Sequence, residues 1–253
     1  IGIIIGGFSC FDLPPIFSLN TIFLYICIVK LVDYIKNLVY GNLNKDTYSY
    51  LLRKKDSIFS DYVDMFNDTP YPNLSDTQAD IQTIIETQAE YQSKPNWKKY
   101  KKFMKIADED IHKLLYKRLI EIGVPFTQKE AIELSNTQED VGVLVIMLKQ
   151  IYQRPRPYQI AYYTNQPLHN FNTITGNSPS YPSGHALQVR FLMNIVASKH
   201  PRYKKQIRKL ADDIAFTRIV LGVHYPSDNK FGTEIAEKLS NLPSIKDKYF
   251  GKN

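Results

Sequence analysis

The sequence has few cysteines and no motif typical of a metal-binding or nucleic-acid-binding protein. Its 253 residues include only two cysteines, Cys10 and Cys27, and neither belongs to a CxxC motif or to a Cys/His pattern with zinc spacing. No nucleic-acid-binding motif is visible. The mean hydropathy of -0.30 argues against a protein built mainly of membrane spans. We therefore expect no metal and no nucleic acid, whereas two cysteines do not define the redox compartment.

Negative charge is in short supply, because 32 lysines and arginines outnumber 25 acidic residues and leave a net charge of +7. The basic residues partly cluster, at Lys94–Lys105 and at Lys199–Lys209. Solvated helix faces account for such clusters in most proteins. A basic protein also suits anionic partners, which here leaves membrane surfaces and phosphorylated substrates.

The N-terminal residues 1–39 differ from the rest of the chain, since Asp12 is the only charge between Ile1 and Val29. The apolar run over residues 16–29 is shorter than the roughly 20 residues that a membrane span needs. Three interpretations stay open: a membrane anchor, a signal-type segment, and a helix that packs on the domain. An anchor would give membrane association through residues 13–39. A membrane-associated, secreted or luminal location is favoured over a cytoplasmic one, and the oligomeric state is not predicted.

The remaining chain divides into a connector, a helical domain and a tail. Residues 40–74 are polar and rich in turn signals, which indicates a connector with short helices. Helical patterns dominate residues 75–242, and the polar residues 243–253 predict a loosely held tail. A capping box at Ser75–Gln78 predicts the start of the first helix of this domain. The predicted helices span residues 75–92, 95–122, 127–135, 138–152, 184–199, 202–222 and 227–241, with a long loop at 158–181.

One predicted element has an alternative. Residues 138–152 have the pattern of a buried helix, but the aliphatic run Val141–Leu148 taken by itself also fits a strand. Pro155 and Pro157 end the element in either case. Lys149 follows this run directly, so it either reaches water along its own stem or meets an anion.

Three short stretches carry the chemistry. The first runs from Lys149 to Arg156-Pro157, the second is Tyr181-Pro-Ser-Gly-His185, and the third runs from Arg218 through His224 to Asp228. The first stretch mounts Arg156 between two prolines. A stiff mount suits a planar guanidinium that must meet phosphate oxygens at a fixed geometry.

Arg218 shares the buried face of its helix with Ile214 and Leu221, because these residues recur at helical spacing. An unpaired buried guanidinium is very costly, so Arg218 needs an anion. That anion is either a carboxylate of the protein or a bound phosphate, and the residue alone does not decide between them.

The second stretch precedes an apolar helix and places Ser183 and Gly184 at its N-terminus. Amides at this position have no intrahelical partner and can bind an anion, and Gly184 lets the anion approach closely. A plain serine cap would explain Ser183 but would leave His185 without a role. His185 beside a bound phosphate can donate a proton to a leaving oxygen.

His224 and Asp228 stand four residues apart around Pro226, at a turn that leads into a helix. A carboxylate at this distance can hold one imidazole nitrogen and aim the other at phosphorus. A histidine satisfied within the core is the simpler alternative for His224 taken alone.

Together the three stretches resemble the motifs of the type 2 phosphatidic acid phosphatase superfamily, which includes bacterial class A acid phosphatases and vanadium haloperoxidases. The resemblance covers residues 75–241, and Ser180-Tyr181 is particularly similar to the class A acid phosphatases. Thr217 stands where the family usually has serine, and threonine retains the hydroxyl group.

The resemblance implies an all-α helical bundle of the acid phosphatase/vanadium haloperoxidase type, with the site at one end and without a metal. It implies a phosphatase that acts on lipid phosphates or small phosphomonoesters through a phosphohistidine. The implied catalytic residues are His224 as nucleophile, Asp228 as its orienting carboxylate and His185 as general acid and then base. The implied phosphate-binding residues are Lys149, Arg156, Ser183, Gly184 and Arg218.

Two other functions remain open. A vanadium haloperoxidase would use the same pocket to hold vanadate on His224, so vanadate would be a cofactor there and an inhibitor of a phosphatase. A phosphate-binding or lipid-binding module without catalysis would bind ligand without turnover. The phosphatase is favoured because every expected catalytic residue is present and the chain is short for a haloperoxidase.

Overall fold

The computed structural model describes residues 57–69, 72–171, 173–176 and 178–251. The predictions for the apolar segment 1–39, and those for residues 40–56 of the connector, lie outside the described residues. Within the described ranges the chain contains helices and no strand, so the predicted all-α bundle is confirmed. None of the helices in these ranges combines the length and the apolar character needed to cross a membrane.

Eight α-helices form the body of the part of the chain that the structure describes. They are α1 (Leu74–Ser93), α2 (Trp97–Glu109), α3 (Ile111–Ile122), α4 (Gln128–Tyr152), α5 (Pro157–Tyr163), α6 (Gly184–Lys199), α7 (Lys204–Val220) and α8 (Pro226–Leu239). A 3₁₀ helix at Ile58–Met65 precedes α1, another at Pro201–Tyr203 leads into α7, and short helical turns at Pro243–Ile245 and Lys246–Phe250 follow α8.

Several predicted boundaries differ from those observed. The single helix expected over residues 95–122 breaks at Asp110, whose backbone leaves the helical region and whose carboxylate caps α3 by accepting from Lys113 N at 3.0 Å. The two helices expected at 127–135 and 138–152 are one helix, α4. A capping box between Thr127 and Glu130 starts α4, and Gln153 in the left-handed region ends it. Val141–Leu148 is therefore helical and not a strand.

Two further expectations about helix starts and loops are wrong. Asn73 caps α1 by accepting from Asp76 N at 2.9 Å, so the predicted capping box at Ser75–Gln78 is not used. The long loop predicted at 158–181 begins instead with the helix α5, because Pro157 occupies its first position and fixes a helical φ there.

Helix α6 lies at the centre of the bundle, in contact with α4, α7 and α8. It is apolar on nearly all sides, and Phe191, Leu192 and Met193 are completely buried in it. The connector region also contributes, since Phe59 and Phe66 are buried in the same core. Each such side chain stabilises the fold by roughly 1.5–3 kcal/mol.

The C-terminal tail is packed against the domain, so the prediction of a loosely held tail is wrong for residues 243–251. Ile245 is fully buried, and the Tyr249 ring stacks on Phe59 with centroids 5.3 Å apart. Polarity misled the prediction, because two apolar side chains among many charged ones are enough to hold the segment.

Candidate active site

The residues of the three motifs lie at helix ends that meet at one end of the bundle. Lys149 is in the last turn of α4, and the N-terminus of α6 provides Ser183 and the two residues after it. Arg218 is in the last turn of α7, and Asp228 is in the first turn of α8. Hydrogen bonds join these ends: Arg156 contacts His224, and Ser183 N donates to Asp228 O at 3.1 Å.

His224 and Asp228 form a buried pair. Asp228 Oδ2 lies 3.1 Å from His224 Nδ1 and also accepts from Tyr225 N at 3.0 Å. Because Asp228 is the third residue of α8, one carboxylate both caps the helix and holds the imidazole. This double use follows from the four-residue spacing around Pro226, whose ring starts the helix directly after Tyr225.

The neighbours of His224 fix its tautomer. The Asp228 carboxylate accepts at Nδ1, and Arg156, which has only donors, lies 2.9 Å from Nε2. Nδ1 therefore carries the proton and Nε2 presents a lone pair. Burial lowers the pKa of His224 well below its ordinary value, and the charges of Arg156, Lys149 and Arg218 lower it further. The ring is neutral at pH 7, which is the form that can attack an electrophile.

His185 follows Gly184 in the first turn of α6. Its Nε2 donates to Ala107 O at 3.2 Å, since a carbonyl only accepts. Burial lowers the pKa of His185 well below its ordinary value, Arg218 lowers it too, and the bond to Ala107 opposes the shift. A dianion beside this ring would raise its proton affinity, so His185 can gain a proton when an anion binds and lose it when the anion leaves.

Arg156 is held by the chain on three sides. Its Nε donates to Ser178 O at 2.6 Å, one terminal nitrogen donates to Val223 O at 2.7 Å, and the other donates to Ser178 Oγ at 3.3 Å. The side chain is almost completely buried. Its guanidinium is therefore fixed against His224 in advance of any ligand.

Lys149 is also buried, and its ammonium donates to the carbonyl of Pro179. Burial lowers the pKa of Lys149 well below its ordinary value, the cations Arg156 and Arg218 lower it further, and Asp228 raises it. Cations without enough nearby negative charge have a high affinity for an added anion. Of the two alternatives left open for Lys149, the reach to water is wrong, because only 5% of the residue is exposed and its ammonium lies inside the site.

Arg218 is paired with a carboxylate of the protein, which is one of the two kinds of anion that the sequence left open for it. It donates to Asp108 Oδ1 at 2.9 Å and to Thr175 Oγ1 at 2.9 Å, while its buried Nε has no partner among the described residues. Burial lowers the pKa of Arg218 to about 10, against the opposing effect of Asp108. Arg218 thus stays charged and keeps a donor for a further acceptor.

The N-terminus of α6 differs in detail from the prediction. Ser183 N already donates to Asp228 O, and Ser183 Oγ accepts from Ala186 N at 3.3 Å. Among the described residues no acceptor contacts the amides of Gly184 and His185, so these two remain for an anion. A Cβ on Gly184 would lie 3.1 Å from Val145 Cγ1, which shows that the glycine also permits close packing on α4.

Residues close to the motifs in the sequence differ in burial. Tyr152 packs in the core against Tyr181 and Phe231, whereas Tyr162 and Tyr163 are exposed. The hydroxyl of Thr217 donates to Ile214 O at 2.6 Å within its own helix.

The site contains three residues that sequence analysis did not single out. Asp108 and Thr175 hold Arg218, and Arg154 donates to Asp228 Oδ1 at 2.7 Å. For Arg154 a signal existed, since it begins the first of two consecutive Arg-Pro pairs. Asp108 and Thr175 gave none, because only the fold brings them to Arg218.

Part of the chain is similar in sequence to known proteins. Residues 141–240 match the model of the PAP2 superfamily. The chain is 31% identical over 106 residues to a lipid A 1-phosphatase of Rhizobium johnstonii, which covers 41% of this chain and 42% of that protein. It is 32% identical over 106 residues to a lipid A 1-phosphatase of Rhizobium etli, at 41% and 44% coverage. The chain thus spans less than half the length of these relatives.

The family match falls on the part of the chain that carries the three motifs. It confirms the predicted resemblance to the type 2 phosphatidic acid phosphatase superfamily over residues 141–240. Residues 141–240 include all eight predicted site residues, while Asp108 lies before the matched region.

Proposed function

We propose that this protein is a metal-independent phosphatase that hydrolyses lipid phosphomonoesters through a phosphohistidine at His224. The observation that carries the proposal is the His224 ring, neutral and held by Asp228, with Nε2 directed at Arg156 among buried cations. A histidine satisfied in the core would not need Lys149, Arg156 and Arg218 around it.

The first half of the reaction transfers the phosphoryl group to the enzyme. Nε2 of His224 attacks phosphorus, the bond between phosphorus and the ester oxygen breaks, and protonated His185 gives its proton to the leaving alkoxide. Lys149, Arg156 and Arg218 exchange some of their present partners for phosphate oxygens and stabilise the charge in the transition state. Asp228 stabilises the positive charge that the His224 ring gains as the new bond forms.

The second half releases inorganic phosphate. Neutral His185 takes a proton from a water molecule, whose oxygen attacks phosphorus as the bond to Nε2 breaks. His224 returns to its starting tautomer because Asp228 holds Nδ1 throughout. The cycle converts one phosphomonoester and one water into one alcohol and one phosphate, with both histidines restored.

The lipid part of the proposal has two supports. The curated relatives are lipid A 1-phosphatases. In addition, α2 carries five exposed lysines, which we call the lysine face: Lys98, Lys99, Lys101, Lys102 and Lys105. The opposite side of α2 packs near the site, since Met104 clusters with Val220, Leu221 and Val223. A basic face beside the site suits an anionic membrane surface.

The test is hydrolysis of a chromogenic phosphomonoester and of a lipid phosphate in mixed micelles, with a chelator present. We expect turnover that vanadate inhibits and that disappears in His224→Ala. The wild type should yield an acid-labile phosphoprotein that His224→Ala does not form. His200→Ala, a histidine paired with Glu130 away from the site, is the matched control and should behave like the wild type. Halide oxidation that depends on vanadate and peroxide, or binding without turnover, would contradict the proposal.

A further inference from the structure

We propose that Arg154 is a positioning residue for the His224–Asp228 pair, and this inference rests on the proposed function. Arg154 does not contact Nε2, the atom that would react. It acts on the far side of the carboxylate that holds the ring, so its effect on the reaction would pass through Asp228.

Arg154 links two helices through its contacts with Asp228, Ser227, Thr77 and Asp80, a set that we call the bracket. One terminal nitrogen donates to Asp228 Oδ1 and to Ser227 Oγ, each at 2.7 Å. The other donates to Thr77 Oγ1 at 3.1 Å and lies 3.5 Å from Asp80 Oδ2. Only 1% of the side chain is exposed. The guanidinium therefore ties α1 to the first turn of α8, where Asp228 is located.

The two oxygens of Asp228 have different partners. Oδ1 accepts from Arg154, and Oδ2 serves His224 Nδ1 and Tyr225 N. A carboxylate bonded through only one oxygen can turn about its own bond. A second bond, to a charged donor that is itself fixed, removes that freedom and keeps Oδ2 aimed at the imidazole.

Two tyrosine rings also pack near the Arg154 guanidinium and help to fix its position. The carbon at its centre lies 3.7 Å from the centroid of the Tyr225 ring and 5.8 Å from that of Tyr181. Asp80 completes the bracket, since it accepts from Ser227 Oγ as well. Burial raises the pKa of Asp80, and Arg154 opposes that shift. Without Arg154 the carboxylates of Asp80 and Asp228 would lack the cation they share.

The two arginines of Arg154-Pro-Arg156 thus contact opposite ends of the His224–Asp228 pair. Arg156 contacts His224 Nε2, and Arg154 contacts Asp228 Oδ1. Arg156 would exchange partners when a phosphate binds, whereas Arg154 keeps its contacts throughout. Loss of Arg154 should therefore slow phosphoryl transfer more than it weakens phosphate binding.

The experiment compares the full chain with Arg154→Met, Arg154→Lys and Arg190→Met. Arg190 is the matched control, because it is a buried arginine paired with Asp212 outside the site. We measure kcat and KM on a chromogenic phosphomonoester, inhibition by inorganic phosphate, and the NMR signal of the His224 Nδ1 proton, assigned by its absence in His224→Ala. Thermal unfolding of each variant shows whether it folds.

For Arg154→Met we expect kcat to fall about 10- to 100-fold, the range known for loss of the outer partner of a metal-ligating residue. KM and the inhibition constant of phosphate should change less than about threefold, and the Nδ1 signal should shift or broaden. Arg154→Lys should recover part of kcat, because it restores a positive charge beside Asp228 but not the bridge to Thr77. Arg190→Met should match the wild type in every readout.

Two results would separate this inference from the proposed function. If the wild type shows no turnover, the proposed function fails, and the Nδ1 signal still decides whether Arg154 positions His224. If the wild type is active and Arg154→Met keeps both its kcat and its Nδ1 signal, the inference is overturned. Should Arg154→Met not fold, Asp80→Asn provides the test, since it removes the outer carboxylate of the bracket and should lower kcat with KM unchanged.

Discussion

Arg218 donates to Asp108 across 2.9 Å, and neither side chain is more than 5% exposed. The two residues are 110 positions apart, at the last turns of α7 and α2. Asp108 also accepts from Ile174 N at 2.8 Å and Thr175 Oγ1 at 2.5 Å. One carboxylate thereby fixes a cation of the site and the loop beside it.

Asp108→Ala should lower the free energy of unfolding by about 3–5 kcal/mol, because it leaves a buried guanidinium without its anion. Added inorganic phosphate should stabilise this variant more than the wild type, since the ligand would supply the missing negative charge. Chemical denaturation with and without phosphate measures both effects.

Asp213→Ala is the matched control, because Asp213 pairs with Lys209 and both side chains are largely exposed. Its loss should cost no more than about 1 kcal/mol, the usual contribution of an exposed pair. Equal losses in the two variants, or no extra effect of phosphate on Asp108→Ala, would contradict the buried arrangement.

Stability should fall in mild acid because of the two site histidines. The folded protein lowers the pKa of His224 and His185 below the ordinary value of 6.5. As the pH falls through about 6.5, these histidines become protonated in the unfolded chain but stay neutral in the folded protein. The stabilisation is thus complete above about pH 6.5 and is lost below it, by about 1.4 kcal/mol per pH unit for each histidine. Denaturation at pH 7.5, 6.5 and 5.5 measures the slope.

His185→Asn tests the origin of that slope. Asparagine does not titrate, so the variant should lose less stability than the wild type between pH 6.5 and 5.5. Phosphate should also flatten the wild-type slope, since a bound anion favours the protonated ring. An unchanged slope in His185→Asn would assign the acid sensitivity to other groups.

Short-range relationships in the site could be predicted from the sequence. His224 and Asp228 are close in the chain, and the turn at Pro226 leaves few ways to arrange them. Arg218 could be placed on a buried face because helical spacing shows which residues share a side. The same spacing predicted most helices of the bundle and an all-α fold.

Long-range relationships could not be predicted. Asp108 sits in a lysine-rich helix, and nothing near it in the sequence indicates a buried carboxylate. The break at Asp110 was missed because one aspartate in a helical pattern is compatible with either a continuous helix or a cap. The occupied amide of Ser183 was missed as well, since its acceptor, Asp228 O, belongs to another helix.

Gly232→Ala should disturb the contact between α6 and α8. A Cβ at this position would lie 2.7 Å from Ser183 O and 3.1 Å from Leu187 N, so backbone must move. We expect a loss of about 1–3 kcal/mol, typical of overpacking. A shift of the Ser183 backbone would also disturb the hydrogen bond from Ser183 N to Asp228 O. We therefore expect kcat to fall together with the stability. Glu234→Ala, on the exposed side of the same helix, should change neither quantity, and an unaffected Gly232→Ala would contradict the close packing.

Charge reversal on the lysine face should weaken binding to anionic membranes. Lys105 pairs with Glu109 at 3.7 Å, whereas the other four lysines have no ion-pair partner among the described residues and are free to meet headgroups. Each lysine near such a surface contributes about 1 kcal/mol, so Lys98→Glu/Lys102→Glu should reduce binding by at least about 30-fold. Sedimentation with vesicles of phosphatidylcholine, with and without phosphatidylglycerol, measures the change.

Lys204→Glu/Lys205→Glu is the matched control, because it reverses the same charge at two exposed lysines in the first turn of α7. Arg218 lies in the last turn of that helix, roughly 20 Å further along its axis. Net charge changes equally in the two variants, so a nonspecific charge effect would weaken both alike. We expect only the α2 variant to lose vesicle binding and to show a higher KM for lipid phosphate. Its KM for a soluble phosphomonoester should stay unchanged, because the buried cations of the site are intact. Equal behaviour of the two variants would leave the lysine face as an ordinary solvated surface.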